Sequence, residues 1–324
     1  MNDVDTILEL FGLSDKNIIA ERIDSGHINR TYKITYGNDR YILQRLNSSL
    51  SGHSESIMSN IALVSECVEN TIRFLDHNGK NYLCYDNAVW RIYEFVPNSV
   101  SYDTLEDERL IYGFGNILGR FHRDTGKIDP KALHITIEDF HNTKKHIKKL
   151  LSLESLPQSY RPRFEKAAVF SDRLSEKGLS LKAAHNDVKC SNVLFDKDTG
   201  EALALIDLDT VMPGYYAYDV GDGIRSACVK DDTLDFGRLK AFCRGYFSAY
   251  KGEYTLTAEE IFLGLICITA ELSSRYLYDA LSGEGYFSDK TDGQKTERGE
   301  QLLRLSEFIA GNEKEIIKAI EERS

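Results

Sequence analysis

The stretch from His185 to Asp209, "HNDVKCSNVLFDKDTGEALALIDLD", decides the fold because it places polar residues at one end of a predicted β-hairpin. Two apolar runs, "VLF" and "LALI", flank the turn sequence "DKDTG", which is typical of a connection between antiparallel strands. Asp187 and Asn192 precede the first strand, and Asp207 follows the second. These three side chains are therefore predicted to converge.

Convergent carboxylate and amide oxygens are the ligands that Mg²⁺ prefers, especially where phosphate oxygens complete its octahedron. Phosphoryl transfer needs metal on the phosphates and an acceptor oriented for attack. Asp187 suits the acceptor, Asn192 and Asp207 suit the metal, and Lys189 adds charge for the transferring phosphoryl group. His185 is predicted to hold the loop through a backbone hydrogen bond. Each acid or amide alone is equally typical of a turn, but the spacing HxDxKxxN before a hairpin and an acid is far more demanding.

The composition predicts a folded globular protein with two domains, or with two lobes that share a cleft. The chain has 324 residues, of which 42% are hydrophobic. Its formal net charge of −11 disfavours nucleic acid and membrane surfaces as partners. Six dispersed cysteines indicate reduced thiols, and the acidic N-terminus does not resemble a signal peptide. We therefore expect a cytoplasmic protein.

Strand signals dominate residues 1–96, where "GHINRTYKITYG", "DRYILQRLN" and "KNYLCYDNAVWRIYEFV" are bounded by turn residues. A short amphipathic helix is predicted in "MNDVDTILELFGL". Another helix is predicted between the strands, because apolar residues recur at helical spacing from Ile57 to Leu75. Pro97 cannot donate to a continuing strand, so the boundary is placed beside it. The first part is thus predicted to be an antiparallel sheet with one inserted helix.

Helices dominate residues 97–324. They are predicted in "LEDERLIYGFGNILGRFHRDTG", "TIEDFHNTKKHIKKLL" and "PRFEKAAVFSDRLSEKG", and two more begin at "TAEEIFLGL" and "ERGEQLLRLSEFI". Thr257 and Glu260 fit a capping box. The apolar run "IFLGLICITA" covers about half of the roughly 20 residues of a membrane span, which indicates a buried helix. The fold class is α+β, and a ligand cleft is expected between the two parts.

The order of the loop, the hairpin and the acid is similar to that of the protein-kinase-like superfamily, although no APE motif follows. The chain more closely resembles the aminoglycoside phosphotransferase-like small-molecule kinases. Among these, "HNDVKCSNVLFD", "LIDLDTVMPG", "YDVGDGIR", "IEDFHNT" and "SRYLYDALSGEGYF" resemble the N-acetylhexosamine 1-kinases. The likeness extends from "SGHINRTY" almost to the C-terminus.

The resemblance implies a protein-kinase-like two-lobed fold, with a nucleotide-binding lobe at 1–96 and a helical lobe for catalysis and sugar binding at 97–324. It implies ATP- and Mg²⁺-dependent phosphorylation of the anomeric C1 hydroxyl of GlcNAc or GalNAc. Asp187 would be the catalytic base, and Asn192 and Asp207 the magnesium ligands.

The resemblance also extends the sugar site to Arg275 and His141. Arg275 would grip sugar or phosphate oxygens, with a salt bridge as its alternative role. His141 has a packed structural role as its alternative. Asp209 lies two residues after Asp207, so on a strand it would share that face and bind metal or an acceptor hydroxyl, unless it is simply solvated. Asp219 is expected to hydrogen-bond the catalytic loop, which runs from His185 to Asn192.

The nucleotide side departs from the protein-kinase pattern. Gly26 is the only glycine in "SGHINRTY", and the strand "YILQRLN" places Gln44 or Arg45 where protein kinases carry a lysine. Only one of the two can face the cleft, because side chains alternate along a strand. Arg45 would hold phosphates, whereas Gln44 would be a neutral donor.

The usual partner of that lysine is a helix glutamate, and three residues are candidates for its counterpart: Asn60, Glu66 and Glu69. The hinge is predicted in "RIYEFVP", where backbone groups of Glu94 and Val96 would recognise adenine. Two other functions stay open. One is a kinase of the same fold that acts on an aminoglycoside, an amino alcohol or another sugar. The other is a pseudokinase-like binding protein, against which the intact Asp187, Asn192 and Asp207 argue.

Overall fold

A five-stranded antiparallel sheet forms the N-terminal part of the computed structural model, which describes residues 3–14, 18–23, 29–46, 53–252 and 255–322. The strand order is β1-β2-β3-β5-β4. The strands are β1 Ile19–Ile23, β2 Arg30–Tyr36, β3 Asp39–Arg45, β4 Leu83–Tyr85 and β5 Ala88–Glu94. Asp86 and Asn87 both have positive φ, which suits the tight two-residue turn between β4 and β5.

Two helices accompany this sheet, and one is shorter than predicted. The predicted amphipathic helix is confirmed as α1 (Asp3–Leu10), which packs apolar side chains against the sheet. Helix α2 (Ser54–Cys67) ends eight residues before Leu75, because Val68 is extended. The chain then runs beside β5, where the backbone N–H of Leu75 donates to the carbonyl of Ile92 at 2.8 Å. Sheet pairing there replaces the predicted helix.

Helices make up most of the remaining chain. They are α3 Glu108–Thr125, α4 Thr143–Leu151, α5 Arg161–Glu176, α6 Tyr216–Ala227, α7 Phe236–Ala249, α8 Ala258–Ser282, α9 Asp292–Gly311 and α10 Glu313–Glu321. The capping box of Thr257 and Glu260 is confirmed at the start of α8. The helix predicted in "TIEDFHNTKKHIKKLL" begins only at Thr143, because the Asn142 side chain caps it by accepting from the Lys145 N–H. The α+β fold class is confirmed.

The decisive hairpin is confirmed as β8 (Val193–Asp196) and β9 (Ala202–Leu205). It pairs on its outer side with β6 (Ser99–Val100), directly after the sheet of the N-terminal part. Below it, β7 (Lys182–Ala184) pairs with β10 (Met212–Gly214). These pairings bring the segments before β8 and after β9 to one place, as predicted. A further short hairpin joins β11 (Val229–Lys230) to β12 (Thr233–Leu234).

Helix α6 was not predicted, because its glycines obscure the helical pattern. Gly221 on α6 and Gly264 on α8 allow the two helices to pack closely. A Cβ on Gly264 would lie 2.0 Å from the carbonyl oxygen of Ala217, and one on Gly221 would lie 2.5 Å from the Leu265 nitrogen.

Helix α8 is long and apolar enough to cross a membrane by length and composition alone, but 78% of its most apolar window is buried in the protein. We therefore describe α8 as a core helix.

Candidate active site

The loop before β8 brings the predicted base, lysine and amide together. The Lys189 ammonium donates to the Asp187 carboxylate at 2.7 Å. The Asn192 amide donates to the same carboxylate at 3.1 Å and to the Asp187 carbonyl at 2.8 Å. Burial raises the pKa of Asp187, but the charge and hydrogen bond of Lys189 outweigh it and lower the pKa overall. Asp187 is therefore oriented and ionised, as its predicted role as a base requires.

Asp207 supplies a second carboxylate beside this loop. It has a left-handed backbone, with φ of 65°, and the end of β9 is tied to the loop by the Ile206 N–H, which donates to the Asn192 carbonyl at 2.8 Å. Burial, followed by the charges of Asp209 and Asp187, raises the pKa of Asp207 to about 7. Such crowding of carboxylates is relieved by a cation.

The donor set fits one hard divalent ion. Asn192 donates through its amide nitrogen, which leaves its side-chain oxygen as a ligand, and the Asp207 carboxylate accepts no hydrogen bond from the described residues. Within those residues no group of three or more His, Cys, Asp or Glu side chains could hold a metal. Asn192 and Asp207 would therefore share the ion with phosphate oxygens, a mode typical of Mg²⁺.

A buried carboxylate on α6 holds the catalytic loop from one side. Asp219 accepts from the backbone N–H groups of His185 and Asn186, at 2.7 Å each, and from the His122 ring at 2.9 Å. The expected contact of Asp219 with the loop is confirmed. The ring of His185 donates to the carbonyl of Ile206 at 3.0 Å, so its predicted backbone hydrogen bond is also confirmed.

A second buried carboxylate holds the loop from α8. Glu271, which is 0% exposed, lies 3.0 Å from Nδ1 of His141, and Nε2 of His141 lies 2.9 Å from the carbonyl oxygen of Asn186. Both His141 nitrogens therefore face acceptors, as in an imidazolium. With its nitrogens engaged in this way, His141 supports the loop, and its predicted contact with sugar stays a prediction. Sequence reasoning missed Glu271, although a glutamate within an apolar helix was a usable signal.

Arg275 lies one helical turn beyond Glu271, at 3.8 Å from its carboxylate. The side chain is only 13% exposed. It lies between two aromatic rings, with its guanidinium carbon 5.2 Å from the Phe140 centroid and 4.7 Å from that of Tyr286. Its N–H groups donate no hydrogen bond to the part of the chain that the structure describes. These donors are therefore available to a ligand.

The loop that carries Tyr286 is itself fixed by a buried acid. Asp279 accepts from the backbone N–H groups of Tyr286 and Phe287 at 2.9 Å each, and pairs with Lys295 at 3.1 Å. Phe287 stacks on Tyr276, with ring centroids 3.8 Å apart. Sequence reasoning did not identify Tyr286, whose place beside Arg275 depends on this loop.

Strand β3 turns Gln44 toward the cleft and Arg45 away from it. Gln44 accepts from the guanidinium of Arg91 on β5, at 3.0 and 2.7 Å. Arg45 instead lies over the Trp90 ring, on the opposite face, at 5.8 Å. The structure therefore does not bring Arg45 to the site, and the neutral Gln44 occupies the strand-lysine position.

Asp209 does not share the face of Asp207, because residues 208–210 form a 3₁₀ turn and not a strand. One carboxylate oxygen accepts from Arg91 at 2.5 Å and the other from Asn29 at 2.9 Å. Asp209 is thus engaged by protein groups, and its predicted contact with metal or a hydroxyl stays a prediction. Of the three candidates for the helix acid, Asn60 is buried and donates to the Val211 carbonyl at 2.8 Å, whereas Glu66 and Glu69 are exposed.

The remaining predicted contacts lie in the connection after β5 and in the first hairpin. The Glu94 N–H donates to the carbonyl of Arg73 at 3.0 Å, and the Val96 carbonyl accepts from the Ser99 hydroxyl at 2.7 Å. Their roles in adenine binding stay predictions. Gly26 lies outside the described residues.

The chain matches the family model described as the phosphotransferase enzyme family over residues 19–256, more than two thirds of its length. It belongs to this phosphotransferase family. The predicted kinase-like chemistry is thus confirmed at the level of the family.

Solved structures share the fold of this phosphotransferase at low sequence identity. A microcompartment-associated aminopropanol kinase has a TM-score of 0.69 and 15% identity, covering 95% of this chain and 98% of its own. A spectinomycin phosphotransferase in complex with ADP and spectinomycin has a TM-score of 0.62 and 13% identity, with coverages of 99% and 97%. The choline kinase LicA from Streptococcus pneumoniae has a TM-score of 0.59 and 15% identity, with coverages of 93% and 99%. These likenesses support the two-part kinase-like fold.

Proposed function

We propose that this phosphotransferase transfers the γ-phosphoryl group of ATP to the anomeric C1 hydroxyl of an N-acetylhexosamine, GlcNAc or GalNAc. The observation that carries the choice of acceptor is Arg275, a largely buried cation with donors left over for a ligand. Fold neighbours bound to ADP or AMP support the nucleotide.

In the proposed reaction, Asp187 accepts the proton of the C1 hydroxyl. The C1 oxygen forms the new bond to the γ-phosphorus, the bond between that phosphorus and the bridging oxygen breaks, and ADP leaves with that oxygen. Lys189 stabilises the negative charge on the transferring group and orients Asp187. Asn192 and Asp207 would hold Mg²⁺, which when bound neutralises charge on the phosphates. Asp219 and His141 keep the loop in place from its two sides.

A chain of contacts connects Arg275 to this chemistry. Arg275 lies beside Glu271, Glu271 pairs with His141, and His141 bonds the carbonyl of Asn186, the residue before Asp187. The acceptor is therefore expected between Arg275 and Asp187. A cationic amino alcohol or aminoglycoside would be repelled by a guanidinium there, whereas the hydroxyl and acetamide oxygens of an N-acetylhexosamine accept its hydrogen bonds.

An acceptor panel tests the proposal. The protein is incubated with ATP and Mg²⁺ together with GlcNAc, GalNAc, neutral hexoses, spectinomycin, choline or aminopropanol, and products are followed by phosphorus NMR. We expect an anomeric phosphate, coupled to the sugar H1, from the N-acetylhexosamines. Absence of turnover on both, or faster turnover on a cationic acceptor, rejects the proposal and favours the alternative kinases.

The variant Arg275→Met tests the observation behind the choice. We expect the KM for the N-acetylhexosamine to rise about 10-fold or more, because a charge-assisted hydrogen bond of roughly 1.5–3 kcal/mol is lost. The KM for ATP should stay the same. Arg244→Met is the matched control, since Arg244 pairs with Glu108 on the exposed surface of α7. An unchanged acceptor KM in Arg275→Met would remove Arg275 from the acceptor site.

A further inference from the structure

The nucleotide side of the cleft contains a buried cation on β5, whereas the lysine of protein kinases lies on the strand that corresponds to β3. Arg91 lies on β5 and is 2% exposed. Gln44 occupies the lysine position on β3, and Glu66 on α2 is exposed. The strand lysine and helix glutamate of protein kinases therefore have no direct equivalents among the described residues.

The guanidinium of Arg91 joins the two sides of the cleft. Its Nε and Nη2 donate to the Gln44 side-chain oxygen at 3.0 and 2.7 Å, within the N-terminal sheet. Its Nη1 donates to Asp209 at 2.5 Å, two residues beyond Asp207. Each guanidinium nitrogen thus donates to at least one protein group, which points to an effect on the site through these partners.

Both partners of Arg91 are held in one orientation by these bonds. Because the Gln44 oxygen faces Arg91, its amide nitrogen points away, and lies 3.3 Å from the Thr31 hydroxyl. Asp209 is fixed by its ion pair with Arg91 at the 3₁₀ turn that follows the left-handed Asp207. Fixing this turn fixes the backbone position from which the Asp207 side chain extends.

We propose that Arg91 is a positioning residue for the metal–nucleotide complex. It takes the place of the lysine–glutamate pair of protein kinases, because it ties the sheet that covers the nucleotide to the turn that carries the metal ligand. The inference rests on the nucleotide and metal part of the proposed function and is independent of the acceptor.

Calorimetric titration of ADP, with Mg²⁺ and with EDTA, distinguishes a role of Arg91 in positioning the metal–nucleotide complex from a general effect on the stability of the protein. For Arg91→Met we expect the affinity for Mg-ADP to fall about 10- to 100-fold, as for other partners that orient metal ligands, with a much smaller change in EDTA. Arg91→Lys should be intermediate, because an ammonium keeps the charge but not the fork that spans both partners. Asp209→Asn should resemble Arg91→Met, and the double variant should add little to either. Arg40→Met, an exposed arginine on β3, is the control.

A folded Arg91→Met protein with the wild-type Mg²⁺ dependence of ADP binding would overturn the inference. So would an equal loss of affinity with Mg²⁺ and with EDTA, because that indicates general damage to the lobe. If Arg91→Met does not fold, Arg91→Lys and Asp209→Asn decide by the same criterion. The titration contains no acceptor, so an incorrect sugar assignment would leave its result unchanged.

Discussion

The catalytic loop is held from two sides by two buried carboxylates, and the histidines that pair with them carry different charges. On the α6 side, His122 lies between Asp219 and the Tyr246 hydroxyl, each at 2.9 Å. The hydroxyl can donate to one nitrogen while the other donates to Asp219, so a neutral ring satisfies both contacts. On the α8 side, His141 faces two acceptors, Glu271 and the Asn186 carbonyl, which only an imidazolium satisfies.

The pKa directions agree with this geometry. Burial lowers the pKa of His122 below its ordinary value, more than Asp219 raises it. Burial also disfavours the charged His141, but the charge and hydrogen bond of Glu271 outweigh it and raise the pKa, with smaller contributions from Asn186 and Asp222. The partner of the second ring nitrogen therefore decides whether a buried histidine beside a carboxylate is charged.

Asp187→Asn should have the largest effect on activity. Its kcat is the lowest expected value, with which the kcat values of the variants in both supports are compared. Loss of the general base is expected to lower kcat about 10²- to 10⁴-fold. Nucleotide affinity should be nearly unchanged, because the two predicted metal ligands remain. Steady-state kinetics and ADP titration measure the two quantities. Asp103→Asn, at an exposed acid, is the control, and retained activity in Asp187→Asn would contradict its role as base.

Asp219→Asn breaks the α6 support. The amide replaces a carboxylate that accepts three hydrogen bonds, so its NH₂ group must face a donor. We expect a loss of about 3 kcal/mol in the free energy of unfolding, measured with urea, together with a fall in kcat. Asp172→Asn, in an exposed ion pair with Lys144, should change stability by less than about 0.5 kcal/mol. Equal losses in the two variants would show that Asp219 does not hold the loop.

The two supports also differ in how far sequence could predict them. The motif around Asp187 and the hairpin are local, so spacing alone brought Asp187, Asn192 and Asp207 together. Asp219 was expected because it lies in a short motif nearby. The Glu271–His141 pair joins residues 130 apart in sequence. No spacing rule relates such positions, since helix packing creates their contact.

On the nucleotide side, too, the sequence could not predict contacts that depend on how distant segments pack. Alternation along β3 correctly allowed only one of Gln44 and Arg45 to face the cleft, but the choice depends on which face α1 covers. Asp209 was misplaced because a strand was assumed where the chain forms a 3₁₀ turn. The cation Arg91 lies on another strand, and only sheet register places it beside Gln44.

His141→Gln tests the α8 support with a smaller expected effect. Glutamine keeps the bulk of the ring but not its charge or its two opposed donors, so we expect a loss of about 2 kcal/mol in stability and a several-fold lower kcat. If His141 supports the loop, the acceptor KM should change less than kcat. If it binds sugar directly, the acceptor KM should rise most. His134→Gln, at an exposed histidine, is the control.

The opposite charge states predict opposite pH dependences, and this is the smallest effect. Above the ordinary histidine pKa of 6.5, folded His141 keeps a proton that the unfolded chain releases, so its contribution to stability is lost as the pH rises through its raised pKa. Below 6.5 the unfolded chain binds a proton at His122 that the folded protein does not, so stability falls as the pH drops. Each contributes at most about 1.4 kcal/mol per pH unit. Urea unfolding from pH 5 to 8 should therefore show His141→Gln flattening the alkaline side and His122→Gln the acid side. If His141→Gln flattened the acid side and His122→Gln the alkaline side, His122 would be the charged histidine and His141 the neutral one.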